Sequence, residues 1–158
     1  EIINGVSNGR QVGVTTGAMR MFFWDDELAW ILSHEIAHNI LNHVQNAKLR
    51  AMLNTFLGAT VGSSSPVANA PEPRSLEAQA DYVGAYLMAR AGFDLDAIRR
   101  VWNRLREFES RQAQWGQAMA HTHPTTTERL AAFEETLKEI DAKRRRGEPM
   151  QPSLDPVP

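Results

Sequence analysis

The chain contains no cysteine, which removes thiolate metal sites, disulfides and cysteine nucleophiles together. The compartment stays open, since a periplasmic protein can also lack cysteine. No transmembrane stretch is present, and Leu53 to Val61 is too short to cross a bilayer. Charge of either sign is not in excess: the net charge of −2 gives no reason to expect nucleic acid as a bulk electrostatic partner. There is no secretory leader, but the first residue is Glu1, followed by the apolar pair Ile2-Ile3. We therefore read the chain as a fragment or processed form whose natural N-terminus is missing, so the absent leader says little about the parent protein. What remains is ordinary for a globular domain. Of 158 residues, 42% are hydrophobic and 23% charged, enough for one domain with a core.

The patterning predicts a mainly α protein with a small β-sheet. Residues 10–16 alternate Val12 and Val14 with smaller or polar neighbours between Gly9 and Gly17, which reads as a strand. Asp25 or Asp26 is the expected N-cap of a long helix over 26–50, because Leu28, Ile31, Leu32, Ile36, Ile40 and Leu41 recur at helical spacing. Residues 58–73, rich in Gly, Ser and Pro, read as a flexible internal loop. A second helix is expected from an N-cap at Ser75 to Ala91, stopped by Gly92. Asp94 caps a third over about 95–114, with Ile98, Trp102, Leu105 and Phe108 as its core stripe. Thr125 and Glu128 form a capping box that opens a last helix to about Arg144. This organises the chain as one domain over 1–146, followed by a Pro-rich extended tail over 147–158.

The chemistry lies in His34-Glu35-Ile36-Ala37-His38, an H-E-x-x-H motif inside the first long helix. Residues four apart on a helix share a face, about 40° apart around the axis. Two imidazoles so placed can take two corners of a zinc tetrahedron. Glu35 beside them can take a proton from water. The plain alternative is an amphipathic helix with two surface histidines and a solvated glutamate, so the remaining parts of a site must be found. A catalytic zinc takes three protein ligands, and without cysteine the third is His, Asp or Glu. Glu77-Ala78-Gln79-Ala80-Asp81 places two carboxylates one turn apart on one helix face. Glu77 can be the ligand, with Asp81 accepting the free N–H of a ligand histidine. The competing reading is a solvated acidic face. Ala78, Ala80, Gly84 and Ala85 are small enough to let this helix approach the first one closely.

Asp25-Asp26-Glu27-Leu28-Ala29 and Ser33 through His43 resemble the active-site helix of the HtpX/Ste24/Oma1-like gluzincin metallopeptidases. Glu77 through Asp81, continuing to Met88-Ala89-Arg90-Ala91-Gly92-Phe93-Asp94, is similar to that family's third-ligand helix. Thr122-His123-Pro124-Thr125, with Glu128-Arg129-Leu130, resembles its C-terminal segment, and Val12 to Gly17 the strand leading to the active-site helix. The match runs in order from about residue 4 to 145. It implies a zincin-like metallopeptidase fold, one Zn2+ held by His34, His38 and Glu77, Glu35 as general base, and Asp81 behind a ligand histidine. It also implies a polypeptide substrate paired to an edge strand at 10–16. Many relatives carry a Pro-Gly-Gly turn just before that strand, whereas this chain has Ser7-Asn8-Gly9-Arg10. The resemblance further implies a soluble or membrane-peripheral branch, located in the bacterial cell envelope and engaged in protein quality control.

His43, five residues after His38, would sit about 140° around an ideal helix and is read as structural. His121 and His123 lie in a loop that can return to the site, and His123, in the family-like His-Pro segment, is the better candidate. It either hydrogen-bonds a developing oxyanion, or occupies zinc's fourth position, or is a plain turn histidine. Arg129 either pairs with an acidic residue near the site or lies on the surface. The function expected is zinc-dependent endopeptidase activity on unfolded or misassembled proteins. The alternative is a zinc-stabilised chaperone-like or protein-binding module with little proteolysis. Nothing in the sequence specifies cleavage preference or oligomeric state.

Overall fold

A computed structural model describes residues 2–22, 24–46, 48, 73–114, 123 and 127–153. Of the loop expected over 58–73, residues 58–72 lie outside the described residues, as do Thr125 of the capping box and His121. Two short strands open the fold, β1 (Gly5–Ser7) and β2 (Val12–Val14). They pair antiparallel, with Gly5 opposite Val14 and Ser7 opposite Val12. β2 falls inside the predicted strand; β1 is an addition to it. Asn8 shapes the turn between them, its Oδ1 accepting from the backbone N–H of Arg10 at 3.0 Å and of Gln11 at 2.9 Å. Gly9, at φ 93°, takes the left-handed backbone the turn requires. Its N–H donates to Asn39 Oδ1 at 2.7 Å, tying the turn to the end of the helix Asp25–Ile40. The Asn-Gly pair thus builds the turn.

Five helices follow: α1 (Thr16–Met21), α2 (Asp25–Ile40), α3 (Pro73–Ala91), α4 (Asp96–Gln114) and α5 (Thr127–Arg146). Thr15 caps α1, its Oγ1 accepting from Ala18 N. The long helix predicted over 26–50 is shorter than its pattern suggests. It begins at Asp25 after Trp24, which gives no side-chain cap. Asp25 and Asp26 therefore lie inside the first turn, where negative charge suits the positive helix end. Asp26 Oδ1 instead accepts from the Asp94 N–H at 2.9 Å, joining α2 to the start of α4. The helix ends at Ile40, where Leu41 and Asn42 turn and Asn42 adopts φ 56°, before helical structure resumes at 43–46. Asn tolerates the left-handed region better than most residues, and one such residue ends an α-helix.

α3 begins at Pro73 rather than after Ser75. Proline suits a first helical position, whose N–H has no intrahelical partner. Gly92 ends it as expected, at φ 82°, with the Phe93 N–H returning to Met88 O at 3.1 Å. Asp94 Oδ1 accepts from the Asp96 N–H at 2.9 Å, the expected cap of α4.

The core is built around α3. Tyr86, Met88, Ile98, Val101, Trp102, Phe133 and Ile140 are fully or almost fully buried there, with Trp30 of α2. The side of α2 turned inward is Ala29, Trp30, Ser33, His34, Ala37 and His38. The apolar residues Leu32, Ile36 and Ile40, which defined the helix in the sequence, are 38%, 40% and 55% exposed. Leu28, Ile31 and Leu41 of the same pattern pack partly buried against the core, beside the buried histidine face. Of the tail, residues 147–153 are described. They leave the helix at Gly147 (φ 66°) and dock: Lys143 Nζ donates to Gln151 O at 2.7 Å, and the Ser153 N–H to Tyr82 Oη at 2.9 Å.

Candidate metal centre

α2 and α3 meet closely at Gly84 of α3. A Cβ at Gly84 would stand 3.2 Å from the His34 backbone N and from Trp30 Cζ3. The absent side chain therefore lets α3 lie against the backbone of the H-E-x-x-H turn. That approach carries Glu77 and Asp81, one turn apart on α3, to the two histidines on α2.

The donor atoms converge. His34 Nε2 lies 3.1 Å from His38 Nε2 and 3.2 Å from Glu77 Oε2, and His38 Nε2 lies 3.3 Å from Glu77 Oε1. His123 joins them, its Nδ1 2.8 Å from Glu77 Oε2 and 3.3 Å from His34 Nε2. Each of His34, His38, Glu77 and His123 offers one ligand atom, all within 4.8 Å of one another. Donors around a four-coordinate zinc, with bonds of about 2.0–2.1 Å, stand about 3.3 Å apart. The spacing found is close to that tetrahedral edge. Lone pairs of nitrogen and carboxylate oxygen crowded to this distance repel unless a cation or proton lies among them.

The buried charges agree with a dication. Glu35, Glu77 and Asp81 are 2%, 8% and 3% exposed, and Arg129 is 7% exposed. Three acidic side chains thus stand with one guanidinium in a buried site, an excess of acidic groups that is costly without a counterion. Burial alone would lower the His34 pKa, but the Asp81 and Glu77 carboxylates outweigh it and push it up to about 9. Burial opposes ionisation of Glu77, yet hydrogen bonds from His123, His34 and His38 hold its carboxyl well below the usual carboxylate range. Both shifts express one fact: positive charge is stabilised between these side chains.

Behind the donors stands a supporting layer. Asp81 Oδ1 lies 2.9 Å from His34 Nδ1, close but out of line for a formed hydrogen bond. Arg129 grips the same carboxylate from the other side, Nε to Oδ2 at 2.7 Å and Nη2 to Oδ1 at 2.8 Å. Its Nη1 reaches Glu77 Oε2 at 3.3 Å, and its Cζ lies 4.9 Å from the Trp102 ring centroid. Of the two readings of Arg129, the structure selects the acidic partner. His43, read from the sequence as structural and not a ligand, stays outside the donor group, but places its Nδ1 3.0 Å from His38 Nδ1. The ideal-helix angle that kept it away fails because the helix turns at Asn42. A left-handed Asn42 was the available signal.

Glu35 lies beside the donors without joining them. Its Oε1 is 3.4 Å from His123 Nε2, and its Oε2 is buried with no hydrogen-bond partner. β1 covers it: a Cβ at Gly5 would stand 3.0 Å from Glu35 Cγ and Oε1. So the strand that touches the motif glutamate is β1, its partner β2 lying in the range 10–16. No residue within 10–16 was singled out as a ligand, and none joins the donor group.

A mainly helical domain with a small sheet, which sets two H-E-x-x-H histidines against a carboxylate from a following helix, is a metallopeptidase domain of the zincin kind. The sequence profile of peptidase family M48 matches residues 3–70 and 55–137, and the chain belongs to that family. The mitochondrial metalloendopeptidase OMA1 of Schizosaccharomyces pombe is 30% identical over 150 residues, 86% of this chain and 44% of the relative. That of Saccharomyces cerevisiae is 31% identical over 120 residues, 67% of the chain and 35% of the relative. A putative beta-barrel assembly-enhancing protease of Vibrio cholerae is 28% identical over 137 residues, 73% of the chain and 28% of the relative. The chain therefore spans less than half the length of these relatives. No solved structure gives a significant match. Among the described residues no helix is long and apolar enough to cross a membrane.

Proposed function

We propose that this chain is the catalytic domain of a zinc-dependent endopeptidase that hydrolyses unfolded or misassembled proteins. The observation that carries the reading is the donor set of His34, His38 and Glu77 at tetrahedral spacing, with a buried, unpartnered oxygen of Glu35 next to it. The donors are nitrogen and oxygen only, a set that suits Zn2+. When bound, zinc supplies a Lewis acid that polarises a carbonyl and acidifies water. Glu35 takes the proton of the attacking water and delivers it to the leaving amine. Its free Oε2 is the atom for that task. Asp81 and Arg129 hold the His34 ring in place. The substrate lies extended along the hairpin, by pairing with the strand in 10–16, where main-chain hydrogen bonds align the scissile bond.

His123 has two possible roles. It occupies the fourth donor position at rest and withdraws when substrate binds, or it donates a hydrogen bond to the oxyanion. Its 2.8 Å contact with Glu77 supports the first. A resting site so capped also supports a second reading, a zinc-stabilised protein-binding module with little proteolysis. The likeness to a putative beta-barrel assembly-enhancing protease of a bacterium supports placing the parent protein in the bacterial cell envelope, periplasmic or lipid-anchored.

The test is cleavage of a fluorescein-labelled denatured protein by the zinc-loaded chain and by Glu35→Gln. The proposal expects zinc to stay and turnover to vanish in the variant. Near-normal turnover removes Glu35 from the mechanism, and binding of the denatured protein without cleavage by either form favours the module.

A further inference from the structure

We infer that His43 is a positioning residue that fixes ligand His38 in the tautomer and orientation needed to present Nε2 to the metal. The inference rests on the metal reading above. α2 stops at Ile40, and the left-handed Asn42 redirects the chain so that His43 turns back onto His38 instead of pointing about 140° away. His43 is 6% exposed, and the two rings meet edge to face with centroids 5.0 Å apart.

The hydrogen-bond logic leaves one arrangement. Two Nδ1 atoms 3.0 Å apart bond only if one carries a proton and the other a lone pair. His38 Nε2 faces the donor set, 3.1 Å from His34 Nε2 and 3.3 Å from Glu77 Oε1, so its lone pair belongs there. A neutral ring with Nε2 free carries its proton on Nδ1. His38 Nδ1–H therefore donates to His43 Nδ1, and the proton of His43 sits on Nε2. The Gln79 side chain of α3 hydrogen-bonds the His43 ring.

Each ligand histidine then has its own support from α3. Asp81 stands behind His34 and carries charge balanced by Arg129; Gln79 acts on His38 through His43 and adds none. The alternating positions 77, 79 and 81 so serve as ligand, relay anchor and direct support.

Zinc affinity of the chain and of His43→Phe and His43→Asn, measured by chelator competition, tests this. His43→Phe keeps a ring but offers no acceptor, and should bind zinc about 10–100-fold more weakly, the usual cost of losing such a partner. His43→Asn, which restores an acceptor, should recover part of the loss. Long-range 1H–15N NMR of the unmutated zinc-loaded chain reads the tautomer without any variant. The proton of His43 should be on Nε2, with Nδ1 bare. A proton on His43 Nδ1, or equal zinc affinity in His43→Phe, overturns the inference. Failure of the unmutated chain to bind zinc would instead overturn the metal reading beneath it.

Discussion

Arg129→Met removes a buried guanidinium while keeping most of the stem that packs there. In the folded chain it deprives Asp81 of two hydrogen bonds, at 2.7 and 2.8 Å, and leaves that carboxylate 3% exposed beside His34. Removing one partner of a buried ion pair costs about 3–5 kcal/mol, because the other charge stays desolvated. The lost contact with Trp102 adds about 1 kcal/mol. Urea unfolding of chelator-treated protein, followed by far-UV circular dichroism at pH 7, reads the effect. With a urea dependence of about 2 kcal/mol per molar, the midpoint should fall by roughly 2–3 M. Asp81→Leu should also destabilise, but Arg129→Met/Asp81→Leu should cost less than the two together, by about 2 kcal/mol, since neither charge is then orphaned. If Arg129→Met is too unstable without metal, the same cycle is run zinc-loaded. A midpoint shift below about 0.5 M, or strict additivity in the cycle, would refute the claim that these groups form one buried unit.

Three further outcomes follow from the same geometry. Gly84→Val should destabilise the chain by about 1–3 kcal/mol and weaken zinc binding, because its side chain meets the His34 backbone; a variant as stable as the original would mean the two helices are not held that close. Gly5→Ala should displace Glu35, lowering turnover about tenfold or more while zinc content stays unchanged, and unaltered turnover in a kinetic assay would count against β1 as the wall behind Glu35. Without metal, the His34 pKa of about 9 stands above its unfolded value of 6.5. Its stabilisation, about 3 kcal/mol at most, is therefore complete below pH 6.5 and lost as the pH rises to about 9. Chelated protein should melt at a lower temperature at pH 9 than at pH 6, and a flat profile would show that no proton is held there.

Much of this site was written locally. His34 and His38 share a face by helical spacing alone, Glu77 and Asp81 do the same on α3, and Gly84 announced the close packing of the two helices. Gly92 and Asp94 marked a stop and a start because each acts on its own backbone. What the sequence concealed depends on contacts distant along the chain or on very short elements. β1 has three residues and α1 six, too few for a period to show. Leu32, Ile36 and Ile40 form a helical stripe that ends up exposed, since the buried side of α2 is chosen by the histidines' partners on α3. Arg129 meets Asp81 across 48 positions, and His123 meets His34 across 89. That His43 touches His38 was hidden by a single residue, Asn42, whose backbone ended a helix that the apolar pattern carried onward.

The central claim is that these side chains form one zinc site. Elemental analysis of the purified chain, beside His34→Ala and Glu77→Ala, tests it most directly. The account predicts about one zinc per chain, lost or greatly weakened in both variants. No zinc in the unmutated chain after incubation with the metal at neutral pH, or undiminished zinc in either variant, would contradict it.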